Sequence, residues 1–323
     1  MKCYINTTDF QIDEPTVLTI GKFDGEHIGH QKIFSQMRKY AEAQQLKTAV
    51  FTFHTAPSAV LGEKESALIT TNAERNRKFE SFGIDYLVEY PFNKEISMMQ
   101  GEEFLRDILI AKMKMKAIVA GADCAFGYQK SGNTELLQRF ADELGYRVYI
   151  IEKERDQDQR EISSSLIRAE LEAGNIEKAN RLLGRRFSIQ GRVSRGNQIG
   201  KKLLGFPTLN LFPEEDKFLP KYGVYYSVVR IEGEKGFWHG ITNIGINPTV
   251  KKDRKKHVPR VETYLYDFEG DLYGKDIEVF LCRFLREEMK FDSMEALRER
   301  IELDKKEGEA LFIREEELDN HFG

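Results

Sequence analysis

The feature that most constrains this chain is a change of rhythm near residue 184. Before it, short apolar runs of β type alternate with segments whose apolar residues recur at helical spacing; after it, β-type runs follow one another without helices between them. Val17-Leu18-Thr19-Ile20 leads through a turn into a helix carrying Ile33, Phe34, Met37 and Tyr40. Strands at 48–53, 86–90, 117–120 and 147–151 then alternate with helices over 73–82, 102–112 and 134–144. Strands joined through helices of that length need crossover connections, which set the strands parallel in one sheet with helices on both faces. An α/β domain over residues 1–183 is therefore expected. In the second half, runs at 188–193, 224–231, 238–244, 262–266 and 277–285 are separated by Gly, Pro and Asn clusters. That pattern predicts an antiparallel β-barrel or sandwich over 184–323, closed by a C-terminal helix that starts after Ser293 as N-cap.

A length of 323 residues agrees with two cores rather than one. The 49 Lys+Arg and 53 Asp+Glu leave a formal net charge of −4, which gives no support for nucleic acid as a general partner. Cys3, Cys124 and Cys282 are widely spaced and odd in number, which excludes a disulfide framework and any CxxC metal or redox motif. No apolar run approaches the roughly 18 residues of a membrane span, and the amino terminus has no signal-peptide character. A cytoplasmic protein without membrane contact is expected, and nothing in the sequence indicates an oligomer. The basic run Lys251 to Lys256 reads as a solvated loop, with help in phosphate binding as the alternative.

Chemistry concentrates in two places. Gly21-Lys22-Phe23-Asp24-Gly25-Glu26-His27-Ile28-Gly29-His30 lies between the first strand and the first helix, where open parallel sheets bind ligands. Two histidines three residues apart, with Gly29 keeping the backbone open, can share one side of a helix's first turn and meet charge developing on a nucleotide's phosphates. The alternative is a pair of histidines that merely cap the helix. Ser163-Ser164-Ser165, followed by Arg168, opens a later helix and forms a second anion site, or else a serine N-cap with a solvated arginine. In the second half, Gly191, Gly196 and Gly205 punctuate a strand-loop-strand stretch that carries Lys201 and Lys202 and ends in Pro207-Thr208-Leu209-Asn210. Glycines there allow close backbone approach to phosphates. Thr208 and Asn210, two apart on an extended segment, point their oxygens to one face and suit Mg²⁺. Polar residues on a solvated strand edge are the alternative.

These motifs together resemble the bacterial bifunctional riboflavin kinase/FMN adenylyltransferase family, also called FAD synthetases. Gly21-x-Phe23-Asp24-Gly25-x-His27-x-Gly29-His30, Gly121-Ala122-Asp123-Cys124-Ala125-Phe126-Gly127 and Ile162-Ser-Ser-Ser-x-Ile-Arg168 are similar to its adenylyltransferase module, a Rossmann-like nucleotidyltransferase fold. Gly205-Phe-Pro-Thr-x-Asn210, Gly223-Val-Tyr225, Asn243-x-Gly245 with Pro248-Thr249, and the Glu262 strand followed by Asp271-Leu-Tyr-Gly274 resemble its riboflavin kinase module. The resemblance implies ATP as co-substrate, Mg²⁺ as cofactor, and riboflavin, FMN and FAD as the flavins handled. It implies ATP contacts from Gly21, Phe23, Gly25, His27, His30, Ser164, Ser165 and Arg168, and flavin contacts from Asp123, Phe126 and Arg286. It further implies a kinase ATP site from Gly191, Gly196, Lys202, Gly205, Pro207, Thr208 and Asn210, with Thr208 and Asn210 on the metal and Glu262 as general base.

Four departures stand out. The family's Thr-Phe-acidic-Pro-His-Pro run reads Thr52-Phe53-His54-Thr55-Ala56-Pro57, so His54 receives no role from the resemblance. The flap Gly200 to Gly205 is one residue longer than usual, and Tyr264 stands where the family has histidine. Cys124 replaces a usual aromatic and reads as a small buried residue rather than a reactive one. Two other functions remain open at this stage: a chain with only one active module, and a flavin-binding regulator without turnover.

Overall fold

The computed structural model describes residues 1–55, 67–194, 208–246 and 259–316. Gly196, Lys202, Gly205 and Pro207 of the expected kinase site, and the basic run 251–256, lie outside the described residues. The chain divides into two compact units, Met1–Leu166 and Ile167–Gly323.

In the first unit, six parallel strands form one sheet: β1 (Lys2–Ile5), β2 (Thr16–Ile20), β3 (Lys47–Phe53), β4 (Tyr86–Tyr90), β5 (Met115–Gly121) and β8 (Arg147–Ile151), in the spatial order β1-β4-β3-β2-β5-β8. Two short strands, β6 (Ala125–Phe126) and β7 (Gly132–Asn133), pair separately, and a short helix, α4 (Thr134–Arg139), follows β7. Alternate residues feed alternate faces. Leu18, Ala49, Phe51, Val88, Ile118 and Ala120 pack on one side with Phe104, Leu105, Ile108 and Leu109, which belong to a π-helix, α3 (Phe104–Lys112). Val17, Val50, Leu87, Ala117 and Val119 pack on the other with Ile33, Phe34, Met37 and Ala41 of α1 (Ile28–Gln44) and Phe79 of α2 (Asn72–Ser81). A sheet covered on both faces is what all-parallel pairing requires, and it accounts for the nearly continuous apolar strands. The strand order reverses between β2 and β5, so the carboxyl ends of these two strands flank a topological switch point.

In the second unit, β9 (Phe187–Ser194), β10 (Thr208–Leu211), β11 (Gly223–Ile231), β12 (Trp238–Ile246), β13 (Pro259–Leu265) and β14 (Asp276–Arg286) close an antiparallel barrel in the order β10-β13-β12-β11-β14-β9. Buried hydroxyls cross it as a ladder, with Ser227, Thr242 and Thr263 hydrogen-bonded in series at 2.6 and 2.9 Å. Such closure removes exposed strand edges. The C-terminal helix α7 (Met294–Glu316) has Ser293 as N-cap, its Oγ accepting the Ala296 N–H at 3.1 Å.

The division between compact units falls earlier in the chain than the change of pattern at 183/184 because helices α5 (Ser164–Ala173) and α6 (Ile176–Leu183) serve the barrel. Asn180 donates to the Leu281 carbonyl at 2.9 Å and accepts the Phe187 N–H at 2.7 Å, which ties α6 to β14 and β9. The Lys221 N–H bonds to the Leu171 carbonyl at 2.9 Å, tying down α5 as well.

Candidate active sites

The loop from Gly21 to His27 leaves the carboxyl end of β2 at the switch point, and α1 starts immediately after it. Its backbone is held in uncommon conformations. Phe23 and Glu26 have φ of 49° and 37°, values that side chains other than glycine's seldom adopt, and Gly25 has φ 86°. The Phe23 ring is buried against Phe34 and Phe79 and meets the His30 ring edge-on at 5.2 Å. His27 and His30 stack with ring centroids 3.7 Å apart. Gly29 makes this possible, since a Cβ there would come within 3.2 Å of the His27 imidazole.

Burial lowers the pKa of His27 to about 4, against a smaller raising effect from Asp123, and holds His30 well below its ordinary value, with His27 adding to the effect. Both rings are therefore neutral at pH 7. The Nδ1 atom of each is buried with no hydrogen-bond partner. A buried polar atom left unpaired is costly, and a ligand that hydrogen-bonds there relieves the cost. The pair is thus a neutral hydrogen-bonding element rather than a fixed positive charge.

A consequence for stability follows from the sign of these shifts. Both folded-state values lie below the unfolded one, so the neutral rings contribute stability above pH 6.5 that is lost as the pH falls toward 4. For His27 the amount is about 3 kcal/mol. Urea unfolding of the chain at pH 7 and pH 5 is expected to show a steeper loss on acidification than the double variant H27N/H30N. Equal losses would contradict this account.

The other residues expected at this site are distributed as follows. Asp123 follows β5, is exposed, and pairs with Lys153 at 3.2 Å; its charge acts on His27 across the switch point. Phe126 is buried against Phe104 and packs so tightly on Gly132 that a Cβ there would meet its ring at 2.3 Å, which makes it a core residue of the β6-β7 pair. Ser164 donates its hydroxyl to the Asp24 carbonyl at 2.8 Å, so it holds the loop. Ser163 accepts the Leu166 N–H as the cap of α5, which leaves Ser165 exposed at the helix start. Arg168 lies beyond the division, in the second unit, with its guanidinium 5.9 Å from the Phe218 ring. Cys124 is pushed up to about 12 by burial, consistent with a packing residue. Sequence reading passed over Thr19 and Thr52, whose hydroxyls are buried without partners near the carboxyl ends of β2 and β3. Within apolar runs they look like ordinary β-formers; only their position in the sheet distinguishes them.

The barrel site is built by register. Antiparallel pairing sets Asn210 of β10 opposite Glu262 of β13, and Thr208 opposite Tyr264; β12 sets Asn243 opposite Glu262 from the other side. Residues directly opposite share a face, so Thr208, Asn210, Glu262, Tyr264 and Asn243 form one polar row. Asn210 is buried, and its Oδ1 has no partner. Glu262 is one-third exposed and is held by Arg260 at 3.3 Å. Gly191 lets β10 approach, since a Cβ there would lie 3.1 Å from Leu211. An unsatisfied amide oxygen beside a hydroxyl and a carboxylate is a hard-oxygen set that fits Mg²⁺. Among the described residues no group of three or more His, Cys, Asp or Glu could cage a metal, so such an ion would depend on substrate phosphates for its other ligands.

Arg286 ends β14 and is tied to the C-terminal helix. Its Nε and Nη2 donate to Asp304 at 2.9 and 2.6 Å, and its Nη1 donates to the Glu287 carbonyl at 2.9 Å. Asp304 is buried and also takes Arg300, so this network docks α7 on the barrel. Two contributors to the row were missed. Arg260 was legible as the residue two before Glu262 on the same strand face. Glu288 was not: it bonds to Asn243, its pKa raised by burial and lowered in part by Asn243 and Arg286, and its carboxylate sits where a Cβ on Gly245 would be.

Comparison with known proteins decides what the two sites belong to. A family described as FAD synthetase matches residues 9–166, and one described as riboflavin kinase matches residues 183–312. A bifunctional riboflavin kinase/FMN adenylyltransferase from Buchnera aphidicola is 37% identical over 295 residues, covering 91% of this chain and 92% of its own. The chain belongs to the bifunctional riboflavin kinase/FMN adenylyltransferase family. A member from Listeria monocytogenes is 33% identical over 313 residues, covering 96% of this chain and 97% of its own. In fold the chain is similar to a Streptococcus pneumoniae protein described as a macrolide-efflux protein, with a TM-score of 0.82 at 29% identity, covering 94% of this chain and 97% of that one. Among the described residues no helix is long and apolar enough to cross a membrane. Both family modules thus occur in one chain, and each carries one of the two sites described above.

Proposed function

We propose that the chain converts riboflavin and ATP to FMN in its barrel, then FMN and a second ATP to FAD and pyrophosphate in its α/β unit. The observation that carries this reading is the register that sets Glu262 opposite Asn210, whose Oδ1 has no partner, in a chain that also stacks His27 on His30 at a sheet switch point. In the barrel, Glu262 takes the proton from the riboflavin 5′-hydroxyl as that oxygen attacks the γ-phosphate. Thr208 and Asn210 would hold Mg²⁺, which when bound neutralises charge on the phosphate oxygens. Arg260 fixes the carboxylate, and Arg286 frames the flavin end by holding α7.

In the α/β unit the FMN phosphate is already anionic and needs no base. Its oxygen attacks the α-phosphate, and pyrophosphate leaves. His27 and His30 hydrogen-bond to the phosphate oxygens as charge builds there, in a buried setting where such bonds are strong. Ser165 supplies a hydroxyl for the triphosphate, Ser164 holds the loop, and Asp123 and the backbone around Phe126 border the flavin. We place the boundary between the two activities at 183/184 and the protein in the cytoplasm, where its three free cysteines stay reduced. Incubating the purified protein with riboflavin and Mg·ATP should produce FMN and then FAD. Absence of both products would refute the assignment.

A further inference from the structure

A loop with non-glycine residues at positive φ keeps that shape only when its surroundings over-determine it. Around Gly21 to His27, three of those constraints come from one short segment. The Thr70 N–H donates to Asp24 Oδ1 at 3.2 Å, the Thr70 hydroxyl donates to Glu26 Oε2 at 3.0 Å, and Arg75 Nη1 donates to the Lys22 carbonyl at 3.4 Å. The segment is itself fixed by a capping box at the start of α2. The Thr71 Oγ accepts the Glu74 N–H at 3.3 Å while the Glu74 carboxylate accepts the Thr71 N–H at 3.0 Å.

Arg75 is then pinned from behind. Its side chain is 4% exposed, and its Nη2 donates to Glu89 Oε1 at 2.6 Å; Glu89 is 1% exposed and gives its other oxygen to His54 Nδ1 at 2.9 Å. A buried ion pair kept for stability alone would place the guanidinium squarely on the carboxylate, because desolvating both charges is costly. Arg75 instead divides its donors between Glu89 and a loop carbonyl, and its Nε is left buried without a partner.

We infer that Thr70, Arg75 and Glu89 form a brace whose role is to position the histidine-bearing loop for ATP. They are positioning residues, acting through Lys22, Asp24 and Glu26, and the inference rests on the adenylyltransferase reading of that loop. The brace fixes the loop before the nucleotide arrives, so its loss raises the KM for ATP in adenylylation. Riboflavin phosphorylation in the barrel is left alone.

Three variants test this: T70V, R75K, and the double replacement R75M/E89M. The double variant removes the pair without leaving a lone buried charge, so it keeps its melting temperature near that of the wild type. R75K keeps a charge beside Glu89 but loses the planar fork that serves two acceptors. Each is expected to raise the KM for ATP in FAD formation about tenfold, with a smaller change in kcat and with the kinase constants within twofold of wild type. Hydrogen exchange at the amides of residues 22–27 is expected to quicken about tenfold in each, whether or not turnover is measured. A folded R75M/E89M chain with wild-type KM and exchange overturns the brace; should that chain not fold, wild-type values in both T70V and R75K overturn it equally. If the wild-type protein makes no FAD, the adenylyltransferase reading fails, and the exchange rates still decide whether the segment holds the loop.

Discussion

Replacing Glu262 by glutamine is expected to lower FMN formation about 10³-fold while leaving FAD formation from supplied FMN within twofold of wild type. The substitution keeps the size of the side chain and its place opposite Asn210 and Asn243, and removes only its ability to accept a proton. Because the flavin hydroxyl is a poor nucleophile until deprotonated, the loss falls on kcat rather than on the KM for ATP. The chain supplies its own control, since the site proposed for FMN adenylylation is built from different strands. Separate assays of the two products, with FMN added in the second, check the split. Equal loss of both activities, or none in the first, would remove Glu262 from the role of general base.

The architecture was largely visible in the sequence, and the reason is physical. Parallel strands buried on both faces are apolar at nearly every position, so β2, β3, β4 and β5 declare themselves as runs, and α1 declares itself through Ile33, Phe34 and Met37. β1 was missed because an edge strand of four residues with two exposed at its start, Lys2 and Cys3, has no such run; it becomes a strand only by pairing with β4. The expected helix over 102–112 proves to be mostly a π-helix, a difference of one residue per turn that apolar spacing does not resolve.

The sites were legible in part for the same reason. Period two shows that Thr208 and Asn210 share a face, but which residue of β13 lies opposite them depends on register, and register is set by long-range pairing. The brace was hidden more completely. Glu89 sits in Tyr86-Leu87-Val88-Glu89-Tyr90 as one charge in an apolar strand, and its meaning depends on Arg75, which local spacing does not connect to it. The tie between Arg286 and Asp304 was hidden too, because Asp304 is a helix residue whose inward direction is known only once α7 is docked.

His27→Asn and His30→Asn are each expected to lower FAD formation from FMN by about 10²- to 10³-fold, with FMN formation unchanged. Asparagine retains a hydrogen-bonding group but is shorter and cannot reproduce the stack at 3.7 Å. Because each ring fixes the other's orientation, the two losses should not add: the double variant is expected within about tenfold of the worse single one. The neutrality of the pair carries a further expectation. A site that stabilised the added charge with two imidazoliums would lose activity as the pH rises through 6.5. A site built on rings whose pKa values are depressed by burial should show no such falling limb between pH 6 and 8 in the free enzyme's kcat/KM. A profile of FAD formation over that range distinguishes the two. A fall of tenfold across it, abolished in H27N, would show that the histidines work as cations and that nucleotide binding reverses the effect of burial on their protonation.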